Sequence, residues 1–187
     1  MERRYVIVGG MLKRIAIVGA ESTGTTTLAE ALAAHYDAPC VPEYGREYAA
    51  KRIAGGATGD WRTPEDFQVI AARQIELEDE LAARARDLLV CDTEAVMVLV
   101  YEERYTGGTS QEIEALAAER RYDLYVLTLP DIPFAPDAIR DDGRREWITD
   151  RLRERLAARP EPLLEVAGSH ERRMADAVAA IDALRGR

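Results

Sequence analysis

The sequence predicts a doubly wound α/β domain built on five parallel strands, and three observations carry that expectation. Five short apolar runs, at 14–18, 38–41, 88–91, 124–127 and 163–166, alternate with segments of helical spacing. Two of these runs, Leu88-Leu89-Val90-Cys91 and Leu124-Tyr125-Val126-Leu127, are apolar throughout and bounded by acids, the pattern of parallel strands buried on both faces. The intervening segments are about ten residues or longer, enough for the crossovers that parallel neighbours require.

The first strand ends in glycine, and Thr25 to Tyr36 then carries Leu28 and Leu32 one helical turn apart. After the second strand, Pro42-Glu43-Tyr44-Gly45-Arg46-Glu47-Tyr48 leaves the sheet at its carboxyl end. Thr63-Pro64-Glu65-Asp66 offers a capping hydroxyl, a first-turn proline and an acid three residues on, so a helix starts there with the stripe Phe67, Ile70, Gln74, Leu77 and Leu81. Helices are expected over 94–104 and 110–120. Residues 129–143 hold three prolines and several acids without periodicity. We assign a small lid to 130–147, running into a helix over 144–158 that shows Trp147, Ile148, Leu152 and Leu156. A last helix covers 171–184. The whole chain, 1–187, reads as one domain; residues 1–10 are an N-terminal extension ahead of Met11, or an extra edge strand.

Hydrophobic residues make up 47% of the chain and charged residues 32%, enough apolar material for a core. No apolar run approaches the roughly 20 residues that span a bilayer, and the start lacks a secretory signal, so no membrane partner and a cytoplasmic location are expected. Cys40 and Cys91 lie in apolar segments and are expected as reduced thiols. The net charge of -9 argues against a nucleic-acid partner, because phosphate backbones are gripped by surplus Lys and Arg. Lysine occurs only at Lys13 and Lys51, so cationic chemistry falls to arginine. The oligomeric state, including a homodimer, is left open.

Gly19-Ala20-Glu21-Ser22-Thr23-Gly24-Thr25-Thr26 follows a predicted strand and opens a predicted helix, with its glycines at phosphate-loop spacing. The loop N–H groups and the helix N-terminus together suit a polyphosphate, with Gly19, Glu21, Ser22, Thr23, Gly24, Thr25, Thr26 and Thr27 as the binding segment. The cofactors implied are ATP and Mg2+, and Thr26 stands where a hydroxyl meets magnesium. Thr25 occupies the place of the lysine that ordinarily reaches the outer phosphates. Losing a charge-assisted bond worth about 1.5 to 3 kcal/mol slows transfer by roughly ten- to a hundredfold, unless an arginine compensates.

Asp92 ends an apolar strand, suiting it either to hold magnesium or to cap the helix that follows. Glu43 leaves the second strand at the ligand end, where it either accepts the proton of an attacking hydroxyl or caps the next helix. Arg46 is a neighbour for phosphate or for that carboxylate. Gln74 interrupts an apolar stripe, so it either reaches a substrate pocket or satisfies buried backbone. Arg140, Arg144 and Arg145 lie in or just after the lid, where closure brings a cation onto the transferring phosphate, or where they form salt bridges with Asp137, Asp141 and Asp142.

Taken together, the loop, Pro42-Glu43-Tyr44-Gly45-Arg46-Glu47, Asp66-Phe67 with Gln74, Cys91-Asp92-Thr93 and Asp137-Ala138-Ile139-Arg140 resemble the ribosylnicotinamide kinase domain of NadR-type proteins, over nearly the whole chain from Met11. The resemblance implies a P-loop kinase fold and transfer of the γ-phosphate of ATP to the 5′-hydroxyl of nicotinamide riboside, a small-molecule partner. It implies Glu43, Asp92 and Arg140 as catalytic residues, Arg144 with the loop at ATP, and Tyr44, Arg46, Asp66 and Gln74 at the substrate. Thr26 and Asp92 would take magnesium, and the roles of Glu43 and Asp92 are exchangeable at this level. With ten residues ahead of Met11, the nucleotidyltransferase domain that usually precedes the kinase is not expected. Thr25 departs from the usual lysine, which bears on rate rather than fold.

Overall fold

The structure, a computed structural model, describes residues 11–57, 62–135 and 144–186. Among them, five strands alternate with seven helices. They run β1 (Lys13–Gly19), α1 (Thr25–Tyr36), β2 (Cys40–Val41), α2 (Tyr44–Ala54), α3 (Pro64–Ala82), β3 (Leu88–Asp92), α4 (Ala95–Thr106), α5 (Gln111–Glu119), β4 (Leu124–Thr128), α6 (Arg145–Ala157), β5 (Leu163–Val166) and α7 (His170–Arg185). The sheet order is β2-β3-β1-β4-β5 and every pairing is parallel. The predicted five-stranded doubly wound sheet is therefore the observed one.

Alternation along β1 divides the core. Ile15 and Ile17 face α1 and α7 through Leu28, Leu32, Ala177 and Ile181. Ala16 and Val18 face the other layer, with Phe67, Ala71, Val98, Leu152 and Leu156. Fully burying such a leucine stabilises the fold by about 1.5–3 kcal/mol, so Leu28 and Leu32 fix α1 on the sheet. The helix start at Thr63 is a reciprocal capping box, Thr63 with Asp66, as the sequence predicts. Cys91 is buried, Cys40 is half-buried, and both are free thiols.

One boundary differs from expectation. Residues 145–147, assigned to the lid, form the first turn of α6, because Arg145 onward continues the apolar phase of Ile148 and Leu152. Residues 136–143, including Asp137, Arg140, Asp141 and Asp142, lie outside the described residues, as do residues 1–10. Among the described residues no helix is long and apolar enough to cross a membrane.

Candidate active site

β1 ends at Gly19, beside the carboxyl end of β4. A Cβ at Gly19 would lie 2.2 Å from Thr128 Oγ1 and 2.9 Å from the Thr128 carbonyl oxygen, so only glycine lets the loop turn here. The loop closes at Gly24, whose φ of 86° is a left-handed conformation open to glycine. Gly24 is also the N-cap of α1, and among the described residues no side chain caps that helix. Its first-turn N–H groups at Thr25, Thr26 and Thr27 thus open to an anion, as the helix dipole favours.

A cavity at the carboxyl ends of the strands is lined by Gly19, Glu21, Ser22 and Gly24 to Thr27 on the loop, and by Glu43, Arg46, Asp66 and Thr93 beyond it. Arg62, Phe67, Ile70, Tyr101 and Tyr105 complete its wall. Glu43 is the N-cap residue of α2 by position, yet its side chain makes no capping bond; Arg46 Nε lies 3.4 Å from Glu43 Oε2. Asp92 does not cap α4 either. Glu94 does, its carboxylate accepting from the Val96 and Met97 amides at 2.8 and 3.0 Å. Asp92 is almost fully buried, and its Oδ1 has no partner among the described residues. Burial, then the charge of Glu43, push its carboxyl up to about 7, while Thr26, Arg46 and Thr25 act in the opposite direction. Next to it, Thr93 holds φ 76°, a strained conformation for a β-branched residue.

Several predicted site residues are placed otherwise. Thr23 turns inward: its amide donates to Ala20 O at 3.3 Å, its hydroxyl to the same oxygen at 2.7 Å, and its Oγ1 lies 2.6 Å from Thr128 Oγ1. It shapes the loop and presents no donor to the cavity. Gln74 is fully buried and serves backbone, accepting from the Tyr44 amide at 2.9 Å and donating to Pro42 O at 3.2 Å. Tyr44 packs against the core and toward the Tyr48 ring, outside the cavity wall. Asp66 does line the cavity, but its oxygens accept from Tyr48 OH at 2.6 Å and from Thr63 at 2.9 Å. Burial raises the Asp66 carboxyl, and those bonds together outweigh it, leaving it lowered.

Arg144 is exposed, its guanidinium 5.9 Å from the Trp147 ring centroid, and it is not among the residues that line the cavity. Arg145, one residue on, reaches the loop: Nη2 donates to Ser22 O at 3.3 Å and Ile132 O at 3.1 Å, and its Nε has no partner among the described residues.

Sequence reasoning missed four further groups. Arg173 of α7 is buried and donates to Thr23 O, to Gly168 O at 3.0 Å, to Leu129 O at 3.1 Å and to Asp131. Arg104 of α4 donates to Glu21 Oε1 at 2.6 Å. Tyr101 and Tyr105, with Phe67 stacked on Tyr105 at 6.2 Å, give the cavity an aromatic wall. The two tyrosines sit four residues apart, a helical signal that the apolar run Val96 to Val100 obscures.

A parallel sheet with a glycine loop leading from its central strand into an uncapped helix defines a P-loop nucleotide-binding protein of the small-molecule kinase fold. A family model described as an AAA domain matches residues 14–173, and the chain belongs to that family. Over 132 residues it is 28% identical to the trifunctional NAD biosynthesis/regulator protein NadR of Salmonella typhimurium, covering 71% of this chain and 32% of that protein. The chain thus spans about a third of the length of the curated relatives it matches. A NadR protein solved in complex with NR superposes with a TM-score of 0.78 at 23% identity, covering 94% of this chain and 52% of that one. Thymidylate kinase from Ehrlichia chaffeensis superposes with a TM-score of 0.65 at 12% identity, covering 90% and 98%. The resemblance to NadR-type proteins read from the motifs is borne out by these relatives, while the structural likenesses speak to the fold.

Proposed function

We propose that the chain transfers the γ-phosphoryl group of ATP to the 5′-hydroxyl of nicotinamide riboside, forming nicotinamide mononucleotide. The observation that carries this reading is the placing of Glu43 in the wall of the same cavity as the phosphate loop, with no helix-capping duty of its own. The aromatic wall of Phe67, Tyr101 and Tyr105 supports a flat cationic ring as the acceptor's base, since ring faces attract cations. The NadR relatives, one described in terms of NAD biosynthesis and one solved with NR, support the same acceptor.

In the transfer, the bond between the γ-phosphorus and its bridging oxygen breaks as a bond to the acceptor oxygen forms. ADP leaves, and the hydroxyl proton passes to the Glu43 carboxylate. The amides of Gly24 to Thr27 hold the phosphates. Thr26 and Asp92 offer hard oxygen donors, and the unpartnered Asp92 Oδ1 fits a magnesium site completed by phosphates and water. When bound, that ion supplies charge neutralisation across the outer phosphates. We assign the duty of the missing lysine to Arg145, whose guanidinium already lies against the loop at Ser22 O. Arg46 holds Glu43 in place.

A second reading, a sensor that binds ATP or a pyridine nucleotide without transfer, is favoured by Thr25 alone. Magnesium-dependent ADP formation by the purified chain, with and without nicotinamide riboside and a panel of other ribosides, separates the readings. Stimulation by nicotinamide riboside supports the kinase. Stimulation by other ribosides with no preference for the nicotinamide base sinks the acceptor assignment, and nucleotide binding without any turnover supports the sensor.

A further inference from the structure

Thr93 follows β3 with φ 76°, a left-handed conformation that strains a β-branched side chain and that glycine adopts freely. The fold holds it there from both sides. Its amide donates to Ile17 O of β1 at 3.0 Å, and its carbonyl accepts from Gln74 Nε2 of α3 at 3.5 Å. The next residue, Glu94, fixes the start of α4 by capping the amides of Val96 and Met97. Strain that is over-determined in this way clusters where a side chain has work to do.

Thr93 is only 8% exposed, and it lines the cavity that the phosphate loop shares with Glu43. Both of its backbone polar groups are taken up by the fold, so what it offers the cavity is its side chain. Among the described residues that hydroxyl makes no hydrogen bond. A nearly buried hydroxyl without a protein partner is satisfied when a ligand supplies one. Its place in the sheet narrows the ligand group. In the order β2-β3-β1, Thr93 leaves the middle strand, with Glu43 beyond β2 on one side and the loop beyond β1 on the other. An acceptor oxygen that reaches both Glu43 and a phosphate on the loop lies over the end of β3.

We infer that Thr93 orients the acceptor: its hydroxyl donates a hydrogen bond to the attacking oxygen of the riboside. An alcohol oxygen carries one proton and two lone pairs. The proton goes to Glu43, one lone pair accepts from Thr93, and the other is left directed at the γ-phosphorus. Fixing two of these directions fixes the third, and misplacing a reacting atom costs up to about a hundredfold in rate. This role rests on the proposed transfer to a riboside and adds to it a group that holds the nucleophile in line.

The test is steady-state phosphorylation of nicotinamide riboside, or of the riboside that wild type prefers, by the full chain. Binding of magnesium with a non-hydrolysable ATP analogue is followed separately by titration calorimetry. Thr93→Val keeps the shape and branching of the side chain and removes the hydroxyl. Its kcat should fall roughly ten- to a hundredfold, with the riboside KM within about threefold and nucleotide affinity within about twofold of wild type. Thr93→Ser, which retains the hydroxyl, should keep kcat within about threefold. Thr93→Gly, unstrained at this φ, should melt at or above the wild-type temperature and still lose turnover as Thr93→Val does. Wild-type kcat in Thr93→Val overturns the assignment. So does a loss that Thr93→Ser shares, a loss confined to KM, or one matched by an equal fall in nucleotide affinity. If wild type phosphorylates no riboside, the proposed function and this role fall together; if it works equally well without the Thr93 hydroxyl, this role falls and the proposed function stands.

Discussion

The side-chain carbonyl of Gln74 accepts the backbone amide of Tyr44 at 2.9 Å, pinning the first turn of α2 to the middle of α3. Its amide nitrogen holds Pro42 O on the other side of Glu43. Glu43 is thus bracketed by two bonds to one buried side chain. Gln74→Leu is expected to lower stability by about 1–3 kcal/mol, because it strands buried backbone groups. It should also raise the acceptor KM while leaving nucleotide affinity within about twofold. Urea denaturation and steady-state kinetics check the pair; a nucleotide affinity that falls along with the acceptor's would show that α2 is not the element affected.

Glu43→Gln keeps the shape of the cavity wall and removes the proton acceptor. Turnover should fall by roughly a hundredfold or more, with the dissociation constant of the nucleotide unchanged. Retained turnover would remove Glu43 from the chemistry and leave Asp92, whose carboxyl stands near 7, as the base.

Thr25→Lys restores the cation that the loop lacks. If Arg145 supplies only part of that charge, nucleotide binding should tighten by about ten- to a hundredfold. In Arg145→Ala protein the gain should be larger still. A Thr25→Lys protein no tighter than wild type would mean that the present arginines already saturate the site.

Gly19→Ala places a methyl group 2.2 Å from Thr128 Oγ1 and 2.9 Å from a carbonyl oxygen that cannot rotate away. The loop must shift as a whole. Nucleotide binding should weaken at least about tenfold, and overpacking should lower stability by about 1–3 kcal/mol, as thermal melts with and without nucleotide would register. A ligand-induced rise in Tm as large as wild type's would show the loop tolerates the methyl.

Glu78 is buried beneath the sheet, and its two oxygens share the Tyr122 hydroxyl at 2.8 and 3.0 Å. Burial nevertheless pushes its carboxyl from 4.5 up to about 7, and Glu94 and Asp92 move the same way for the same leading reason. A raised carboxyl binds its proton more tightly folded than unfolded. Its contribution to stability is full below about 4.5 and is lost as pH rises through about 7. Between pH 5 and 8 wild type should therefore lose on the order of 2 kcal/mol more than Glu78→Gln, whose amide does not titrate. Parallel pH slopes in urea denaturation would count against the shift.

The order of strands and the identity of the loop were legible because both are local patterns. A β-branched run ending in glycine, a helix after it, and an acid closing an apolar strand need no knowledge of distant contacts. Glu43 and Asp92 followed from their places at strand ends. Arg104 and Arg173 did not, because nothing near them in sequence announces the loop residues that they reach, 83 and 150 positions away. Gln74 was visible as a polar break in an apolar stripe, but which buried group it would satisfy depends on how α2 crosses α3. The exchange of Arg144 for Arg145 is a matter of helical phase. One residue is a turn of about 100° on a helix, so a boundary uncertain by one position redirects a side chain from the loop to solvent.

The Arg173 contact has a temporal consequence. The carbonyl of Thr23 and the end of β4 are joined by a guanidinium carried on the last helix. During synthesis the glycine loop leaves the ribosome among the first elements of this domain, but its brace, carried on α7, follows about 150 residues later. Central strand β1 likewise waits for β3 and β4, so the sheet closes late and through long-range contacts. A nascent chain stopped before α7 would carry the loop's complete sequence and still lack a rigid cradle. Competence for nucleotide is in this way a report that nearly all of the domain has been made.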